Sequence, residues 1–193
     1  AIDATKWHHQ TQIPAGGSWF NNEVQHYTNR LTNSFVNNGN LNIVAKRETF
    51  TDQNVTKEFT SARLNSKFAF QYGRVEVRAK LPSGVGTWPA IWMLGKNVNE
   101  AGGFWAATHG TTGWPACGEI DIMEHVGNDL NRIHGTLHYP NHFGGNGVSG
   151  SVVVPGVTTS FIYTDALKMN SDVFTYGKIR AAYAQVGNDA APG

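Results

Sequence analysis

The stretch Gly118-Glu119-Ile120-Asp121-Ile122-Met123-Glu124-His125 carries three carboxylates within six residues, separated by apolar side chains. Such alternation predicts a β-strand, whose side chains point to opposite faces in turn. Glu119 and Asp121 then share one face of the strand. Ile120 and Ile122 point the other way, into a core.

Glu124 has the wrong parity for the face that holds Glu119 and Asp121. We expect a one-residue bulge around Met123, because bulges are common beside active sites and re-aim a side chain. Glu119 and Glu124 would then flank one cleft, with Asp121 between them. Carboxylates in such proximity push one pKa up, so one acid stays protonated while another is ionised, as glycosidic cleavage requires. From the alternation alone, a solvated edge strand is an equally good interpretation.

Length and composition narrow the class of protein. The 193 residues suffice for one domain with a sizeable core, and a net charge of +1 argues against a nucleic acid or polyanion partner. The 22 glycines and 11% aromatic residues suit short strands with tight turns, as in a β-sandwich that stacks sugars. Cys117 is the single cysteine, which excludes an internal disulfide and a cysteine metal site.

Several segments have the pattern of strands and turns. Residues 74–81 alternate charged and apolar side chains, which predicts a strand with two distinct faces. The run 87–94 is almost continuously apolar and fits a buried central strand, and residues 133–139 predict another strand. Asn37-Asn38-Gly39-Asn40 predicts a hairpin turn, whereas residues 96–113 read as a glycine-rich loop. The whole predicts an antiparallel β-sandwich whose concave face holds the cleft.

Aromatic and polar side chains near the acidic strand suggest a sugar site. Trp88 and Trp114 each begin a Trp-Pro-Ala unit, and an indole beside carboxylates is a natural platform for a pyranose ring. His138 lies on the strand after the acids and could hydrogen-bond the nucleophile or the substrate. An Asn of the Asn21-Asn22 turn could bind sugar hydroxyls, although a capped loop is as good an interpretation.

Taken together, these stretches resemble glycoside hydrolase family 16 over about residues 2–163, and within it the endo-β-1,3-glucanases called laminarinases. That family has a β-jelly-roll fold, so the resemblance implies an all-β antiparallel sandwich with a concave substrate cleft. The resemblance rests on Asn21-Asn22-Glu23, Tyr27-Thr28, Thr60-Ser61-Ala62-Arg63-Leu64, Tyr72-Gly73-Arg74-Val75-Glu76-Val77-Arg78-Ala79-Lys80-Leu81-Pro82, Trp88-Pro89-Ala90-Ile91-Trp92-Met93-Leu94-Gly95 and Gly113-Trp114-Pro115-Ala116-Cys117-Gly118.

The resemblance implies a reaction and its residues. It implies retaining endo-hydrolysis of β-1,3-glucosidic bonds, with laminarin-type glucan as the leading substrate and mixed-linkage glucan as the second. Glu119 matches the nucleophile and Glu124 the general acid/base, while Asp121 matches the helper that hydrogen-bonds the nucleophile. The positions that match residues lining the glucan cleft are Asn21, Arg63, Trp88, Trp114 and His138.

The resemblance also carries expectations about partners and location. We expect a polysaccharide substrate, no nucleic acid, no membrane span, a monomer, and a secreted, periplasmic or cell-surface bacterial protein. No cofactor or catalytic metal is expected. The structural calcium of some family members is not carried over, because its ligands lie near the chain ends, where this sequence departs from the family.

Both ends of the chain differ from the family pattern. The opening strand of the family is missing, and its later Trp and Asp-Gly hairpin never arrives. We therefore expect a truncated catalytic domain over 1–163, incomplete at both ends, and a divergent tail over 164–193 that resembles a barrel segment of TonB-dependent outer-membrane receptors. Tail residues 173–186 could pair with an exposed sheet edge as a substitute strand.

Three functional interpretations stay open at this point. The first is a retaining glucanase whose activity is weakened or absent because strands are missing. The second is a non-catalytic β-glucan-binding module, and the third is an inactive fragment or a barrel piece. The complete set of Glu119, Asp121 and Glu124 favours the enzyme, and residues 1–160 lack the regular lipid-facing segments of a barrel.

Overall fold

The computed structural model describes residues 1–154, together with the backbone of residues 159–161 and 179–181. The chain divides into two compact units. Unit 1 consists of Ala1–Ala69 and Lys96–Trp114, and unit 2 of the described residues within Phe70–Gly95 and Pro115–Gly193. In chain order, the segment 96–114 of unit 1 therefore lies between the two stretches that form unit 2.

Nearly all regular structure in both units is β-structure, which confirms the predicted all-β class. The described residues contain one α-helix, α1 (Ala106–His109), which is a single turn within the predicted loop. No helix among the described residues is long and apolar enough to cross a bilayer. In unit 1 the elements are β1 Trp7–His9, β2 Gln25–Tyr27, β3 Ser34–Asn37, β4 Asn40–Ile43, β5 Lys46–Asp52, β6 Val55–Ser61, β7 Leu64–Ser66 and α1 Ala106–His109. In unit 2 they are β8 Ala90–Leu94, β9 Glu119–Glu124, β10 Arg132–His138, β11 Val148–Val153, β12 Thr159–Phe161 and β13 Ile179–Ala181, with a 3-10 turn at Gly144–Asn146.

Unit 1 is built from three small sheets. The largest has the order β2-β6-β5, in which β2 and β6 run parallel, and β1 pairs with β7. β3 and β4 form the hairpin that the sequence predicts, with Asn37 opposite Asn40. Asn38 and Gly39 both have positive φ, the conformation that a two-residue hairpin turn of this type requires.

The 96–114 segment is held to the rest of unit 1 by buried polar contacts. Arg63 Nη2 donates to Glu100 Oε1 at 2.6 Å, and the two side chains are only 8% and 11% exposed. The guanidinium of Arg63 also lies 5.4 Å from the ring centre of Trp19. Gln10, which is fully buried, donates from Nε2 to the carbonyl of Ala101 at 2.7 Å. A buried ion pair and an amide thus fix the first turn of this long connection.

Unit 2 contains the four-stranded antiparallel sheet β11-β10-β9-β8. Its inner strand β9 has a neighbour on each side, so both rows of its backbone groups are hydrogen-bonded. Ile122 and Met123 of β9 are each 2% exposed, and Ile133 of β10 is buried with them. This apolar layer confirms that Ile122 points into a core.

The bulge predicted in β9 is present. Along β8, the adjacent residues Ile91 and Trp92 pair with Met123 and Asp121, so β9 holds one extra residue there. Along β10 the register shifts at the same place, between the pairs His134–Glu124 and Thr136–Asp121. The extra residue falls between Asp121 and Glu124, where the parity argument requires it.

The strand predicted over 74–81 is not found, although its two faces are. The even-numbered residues of this segment are exposed and the odd-numbered ones half-buried, as the alternation predicts. The segment does not belong to any ladder among the described residues. Alternation dictates where side chains point, whereas a strand also needs a neighbour that accepts its hydrogen bonds.

The tail is described only at one pairing. Thr159–Phe161 (β12) pairs antiparallel with Ile179–Ala181 (β13) as a separate two-stranded sheet. Pairing of residues 173–186 with an exposed edge of another sheet stays a prediction. The rest of 164–193 lies outside the described residues. The boundary predicted at 163/164 and the resemblance of the tail to a receptor barrel stay predictions.

The buried ion pair of unit 1 makes a stability prediction. We expect Glu100→Ala to lower the free energy of unfolding by about 3 kcal/mol, because Arg63 is left charged, buried and without its carboxylate. Chemical denaturation followed by tryptophan fluorescence measures the change.

The matched control is Glu76→Ala, which removes the acid of the Arg74–Glu76 pair, whose side chains are about half exposed. We expect a change within about 0.5 kcal/mol, since exposed ion pairs contribute little. Equal losses in the two variants would contradict the structural role given to the Arg63–Glu100 pair.

Candidate active site

The bulge in β9 gathers three acidic side chains in unit 2. Asp121 is only 3% exposed, whereas Glu119 and Glu124 are half-buried. Burial first, then the negative charges of Glu119 and Glu124, raise the pKa of Asp121 to about 9. A hydrogen bond with Glu119 raises this pKa further. Asp121 therefore keeps its proton at neutral pH and uses it to donate a hydrogen bond to Glu119, whose negative charge is one cause of the raised pKa of Asp121.

His138 of β10 supports the same cluster from the neighbouring strand. Its Nε2 lies 3.2 Å from Oδ2 of Asp121, and its backbone is paired with Glu119. The sequence predicts His138 near the nucleophile or the substrate, and the structure brings it to Asp121, the residue that hydrogen-bonds Glu119.

Glu124 stands in a different environment from Glu119. Its pKa is raised, chiefly by burial and also by the charge of Glu119. Two groups act in the opposite direction: a hydrogen bond from Trp88, and the positive charge that His134 can carry. Trp88 donates its Nε1–H to Oε1 of Glu124 at 3.0 Å.

The arrangement combines two kinds of acid–base behaviour. Asp121 and Glu124 both hold protons more strongly than ordinary carboxyls, while Glu119 carries the charge of the cluster. One ionised carboxylate and one protonatable carboxyl on the same strand face can perform nucleophilic attack and proton transfer on one substrate.

The substrate-binding residues predicted from the sequence fall in both units. Trp88 and His138 belong to unit 2 and contact the acidic cluster directly. Asn21, Arg63 and Trp114 belong to unit 1. Asn21 is exposed and has positive φ, Trp114 is exposed, and Arg63 is in the buried pair with Glu100. Contact of these three with a glucan stays a prediction.

His134 is the residue of this site that the sequence analysis did not select. It pairs directly with Glu124 across the β9–β10 ladder and acts on its charge. The sequence does contain an indication of this role, because His134 has the same parity as His138 and lies on the same face of the strand. This indication depends on the position of the bulge, since only the shifted register brings Glu124 opposite His134.

The same cluster has the spacing of a cation site. Glu119, Asp121 and His138 each offer one ligand atom, and these atoms lie within 4.8 Å of one another. The same three residues form the network in which protonated Asp121 contacts both Glu119 and His138. The absence of a cofactor stays an expectation.

Comparison with known proteins adds to this geometry. The family model described as "Glycosyl hydrolases family 16" matches residues 20–161. The chain is 43% identical over 164 residues to a "Beta-glucanase" of Rhodothermus marinus, an alignment of 82% of this chain and 52% of that protein. It is 38% identical over 159 residues to "Glucan endo-1,3-beta-glucosidase A1" of Niallia circulans, which covers 77% of this chain and 22% of that protein.

A solved structure shares the fold. The chain has a TM-score of 0.74 and 51% identity to a variant of LamA from Zobellia galactanivorans in complex with laminaritriose and laminaritetraose. The alignment covers 79% of this chain and 62% of that one. This likeness confirms the predicted jelly-roll class. The chain spans about half the length of the R. marinus relative, and less of the N. circulans one.

The protonation of Asp121 makes a pH-dependent stability prediction. Its pKa is about 9 in the folded protein and near 4 in the unfolded chain, so the folded state holds one more proton between these values. The contribution of this residue to stability is full below pH 4 and is lost as pH rises towards 9. Asp121→Asn removes this dependence and keeps a donor towards Glu119. We expect the melting temperature of the variant to rise relative to the original chain as pH increases from 5 to 9.

Melting temperatures of both proteins across this pH range provide the test. Parallel pH dependence in the two proteins would contradict a proton held on Asp121. Asp129→Asn serves as the control, because Asp129 is exposed and pairs with Arg132 at the surface. Its melting curve should follow that of the original chain.

Proposed function

The chain belongs to glycosyl hydrolases family 16, and from this premise we propose that it hydrolyses internal β-1,3-glucosidic bonds of laminarin-type glucans with retention at the anomeric carbon. The observation that carries the proposal is the division of roles among the three acids of β9. Glu119 holds the negative charge, Asp121 holds a proton against it, and Glu124 has a raised pKa.

The reaction proceeds in two displacements. In the first, a carboxylate oxygen of Glu119 attacks the anomeric carbon, and the bond to the leaving glucan breaks. Glu124 transfers its proton to the leaving oxygen at the same time, so the departing chain ends in a hydroxyl. In the second, Glu124 takes a proton from water, whose oxygen displaces Glu119 from the sugar. Both carboxyl groups return to their initial states.

Asp121 and His138 act on the nucleophile rather than on the sugar. The proton of Asp121 hydrogen-bonds Glu119 and spares the cluster a second adjacent negative charge. His138 contacts Asp121 at its Oδ2 atom. We therefore assign Asp121 to orienting Glu119 and adjusting its basicity, and His138 to orienting Asp121.

The choice of substrate is supported by the chemistry of the chain and its relatives. A near-neutral net charge does not favour sulfated polymers. Trp88 is 47% exposed beside Glu124, so its indole face is accessible to a sugar ring. One relative is named an endo-1,3-beta-glucosidase, and the LamA variant binds laminari-oligosaccharides. Mixed-linkage glucan is the second candidate substrate.

Further parts of the proposal follow from a polymeric substrate. Asn21, Arg63 and Trp114 keep their predicted roles in glucan binding. The chain is proposed to act as a monomer. A polysaccharide is too large to enter the cytoplasm, which supports a secreted, periplasmic or cell-surface location. The two displacements need no cofactor.

The proposed reaction makes a prediction about the substrate and the nucleophile. We expect reducing sugar to be released from laminarin, less from lichenan and none from agarose. Glu119→Gln should reduce release to background, because an amide oxygen cannot form the ester with the anomeric carbon. A colorimetric reducing-end assay on the three polymers measures this.

Two outcomes would contradict the proposal. Equal release by Glu119→Gln would exclude Glu119 as nucleophile. Binding of laminarin without any release, by a chain that melts cooperatively, would replace the enzyme with a glucan-binding module.

The proposed reaction also makes a prediction about retention and the role of Glu124. We expect Glu124→Ala to lose activity on laminarin by about a hundredfold or more, since the leaving oxygen is no longer protonated. On an activated aryl glucoside substrate, added azide should restore turnover and give a β-glycosyl azide, because azide reaches the covalent intermediate without a general base. Proton NMR of the product distinguishes the anomers. An α-azide would show that azide attacks the substrate directly, and it would contradict the role of Glu124 as general acid/base.

A further inference from the structure

The side chain of Trp88 occupies one oxygen of Glu124. Its Nε1–H donates to Oε1 at 3.0 Å, and the ring is 47% exposed. A stacking platform needs only the aromatic face, so this contact of the N–H edge is a separate feature of the site. An indole N–H donates and never accepts, which fixes the direction of the hydrogen bond.

The backbone holds Trp88 in this position from both sides. Gly127 donates its N–H to the carbonyl of Thr87 at 2.8 Å, and His125 donates to the carbonyl of Pro89 at 3.1 Å. Both donors lie within three residues of the end of β9, the strand that carries Glu124. Pro89 also restricts Trp88 to extended backbone conformations.

The packing at Gly127 shows how closely these two segments approach. A Cβ at this position would lie 1.9 Å from the carbonyl oxygen of Gly84 and 2.2 Å from Oγ1 of Thr87. Only glycine fits this approach without a backbone shift. Thr87 is held in turn by its own Oγ1–H and N–H, which both donate to Gly84. The indole is therefore presented to Glu124 by a tightly packed turn.

The hydrogen bond assigns different tasks to the two oxygens of Glu124. When Glu124 is protonated, its carbonyl oxygen is the stronger acceptor, so the hydrogen bond from Trp88 to Oε1 favours the form with the proton on Oε2. When Glu124 is ionised, Oε1 accepts the same bond. The contact is thus compatible with both protonation states and need not break as Glu124 changes from acid to base.

We propose that Trp88 is a positioning residue for Glu124, whose indole N–H holds Oε1 and thereby makes Oε2 the oxygen that gives and takes the proton. This inference rests on the proposed function of Glu124 as general acid/base. It adds a role for the edge of Trp88 to that of its face in binding sugar.

The other charged groups around Glu124 come from two strands. Glu119 and Asp121 lie on β9 itself, and His134 faces Glu124 from β10. Ala90 is the residue opposite Glu124 on β8, and it contributes no polar group. Among these groups the indole N–H of Trp88 is a donor that does not titrate, so its effect can be separated from titration of its neighbours.

The test replaces the N–H and keeps the ring. Incorporating β-(3-benzothienyl)alanine at position 88 substitutes sulfur for the indole N–H with little change in shape or burial. Carbon-13 NMR of glutamate side-chain carboxyls, assigned with Glu124→Gln, then follows Glu124 directly. Loss of a donor that stabilises the carboxylate should raise the pKa of Glu124. The same replacement at Trp105, in unit 1, is the matched control and should leave the pKa of Glu124 unchanged.

The kinetic arm separates positioning from sugar binding. We expect kcat/KM for laminarin to fall about tenfold, because proton donation to a sugar leaving group depends on the geometry of Glu124. For a 2,4-dinitrophenyl β-laminaribioside, whose leaving group needs no proton, it should change by less than about twofold.

The outcomes are distinguishable from failure of the proposed function. An unchanged pKa of Glu124, or equal losses on both substrates, would overturn the positioning role and leave Trp88 as a platform. If the original chain hydrolyses neither substrate, the proposed function fails. The assignment of Oε2 to proton transfer would then fall with it, whereas the NMR result would still decide whether Trp88 holds Glu124.

Discussion

The site depends on one extra residue in strand β9. In an unbroken strand, Glu124 would lie on the same face as Ile122 and point into the apolar core, apart from Glu119 and Asp121. Because β9 is paired on both sides, the bulge shifts the register against β8 and β10 together. The shift brings Glu124 opposite His134 and within hydrogen-bonding distance of Trp88.

A cluster of three carboxyl groups on a half-buried strand face costs stability, and this cost is inseparable from its chemistry. Burial and like charges together prevent full ionisation, so Asp121 holds a proton at a pH where an ordinary aspartate has lost it. Ile122 and Met123 on the opposite face are almost fully buried and offset part of the cost. Active sites commonly combine local instability with a well-packed support, because perturbed acids are what the reaction uses.

Particular residues show how far sequence reasoning reached. The parity of Glu119, Asp121 and Glu124 was enough to predict both the strand and its bulge. His138 was predicted near the nucleophile and lies at Asp121. Contact of Arg63 with substrate stays a prediction, whereas its buried pair with Glu100 is a contact that the sequence did not indicate. The side-chain pattern of 74–81 was predicted correctly, while its strand was not, because alternation carries no information about a hydrogen-bonding neighbour.

The sequence by itself determined the all-β class, the faces of the strands and the identity of the acidic cluster, because these follow from side-chain period and residue type along the chain. Only the tertiary structure decided which residues hold the acids: His134 opposite Glu124, His138 against Asp121, and the N–H of Trp88 on Oε1. These contacts join positions that are 10 to 36 residues apart. They depend on register and on the approach of separate segments, which local sequence patterns do not encode.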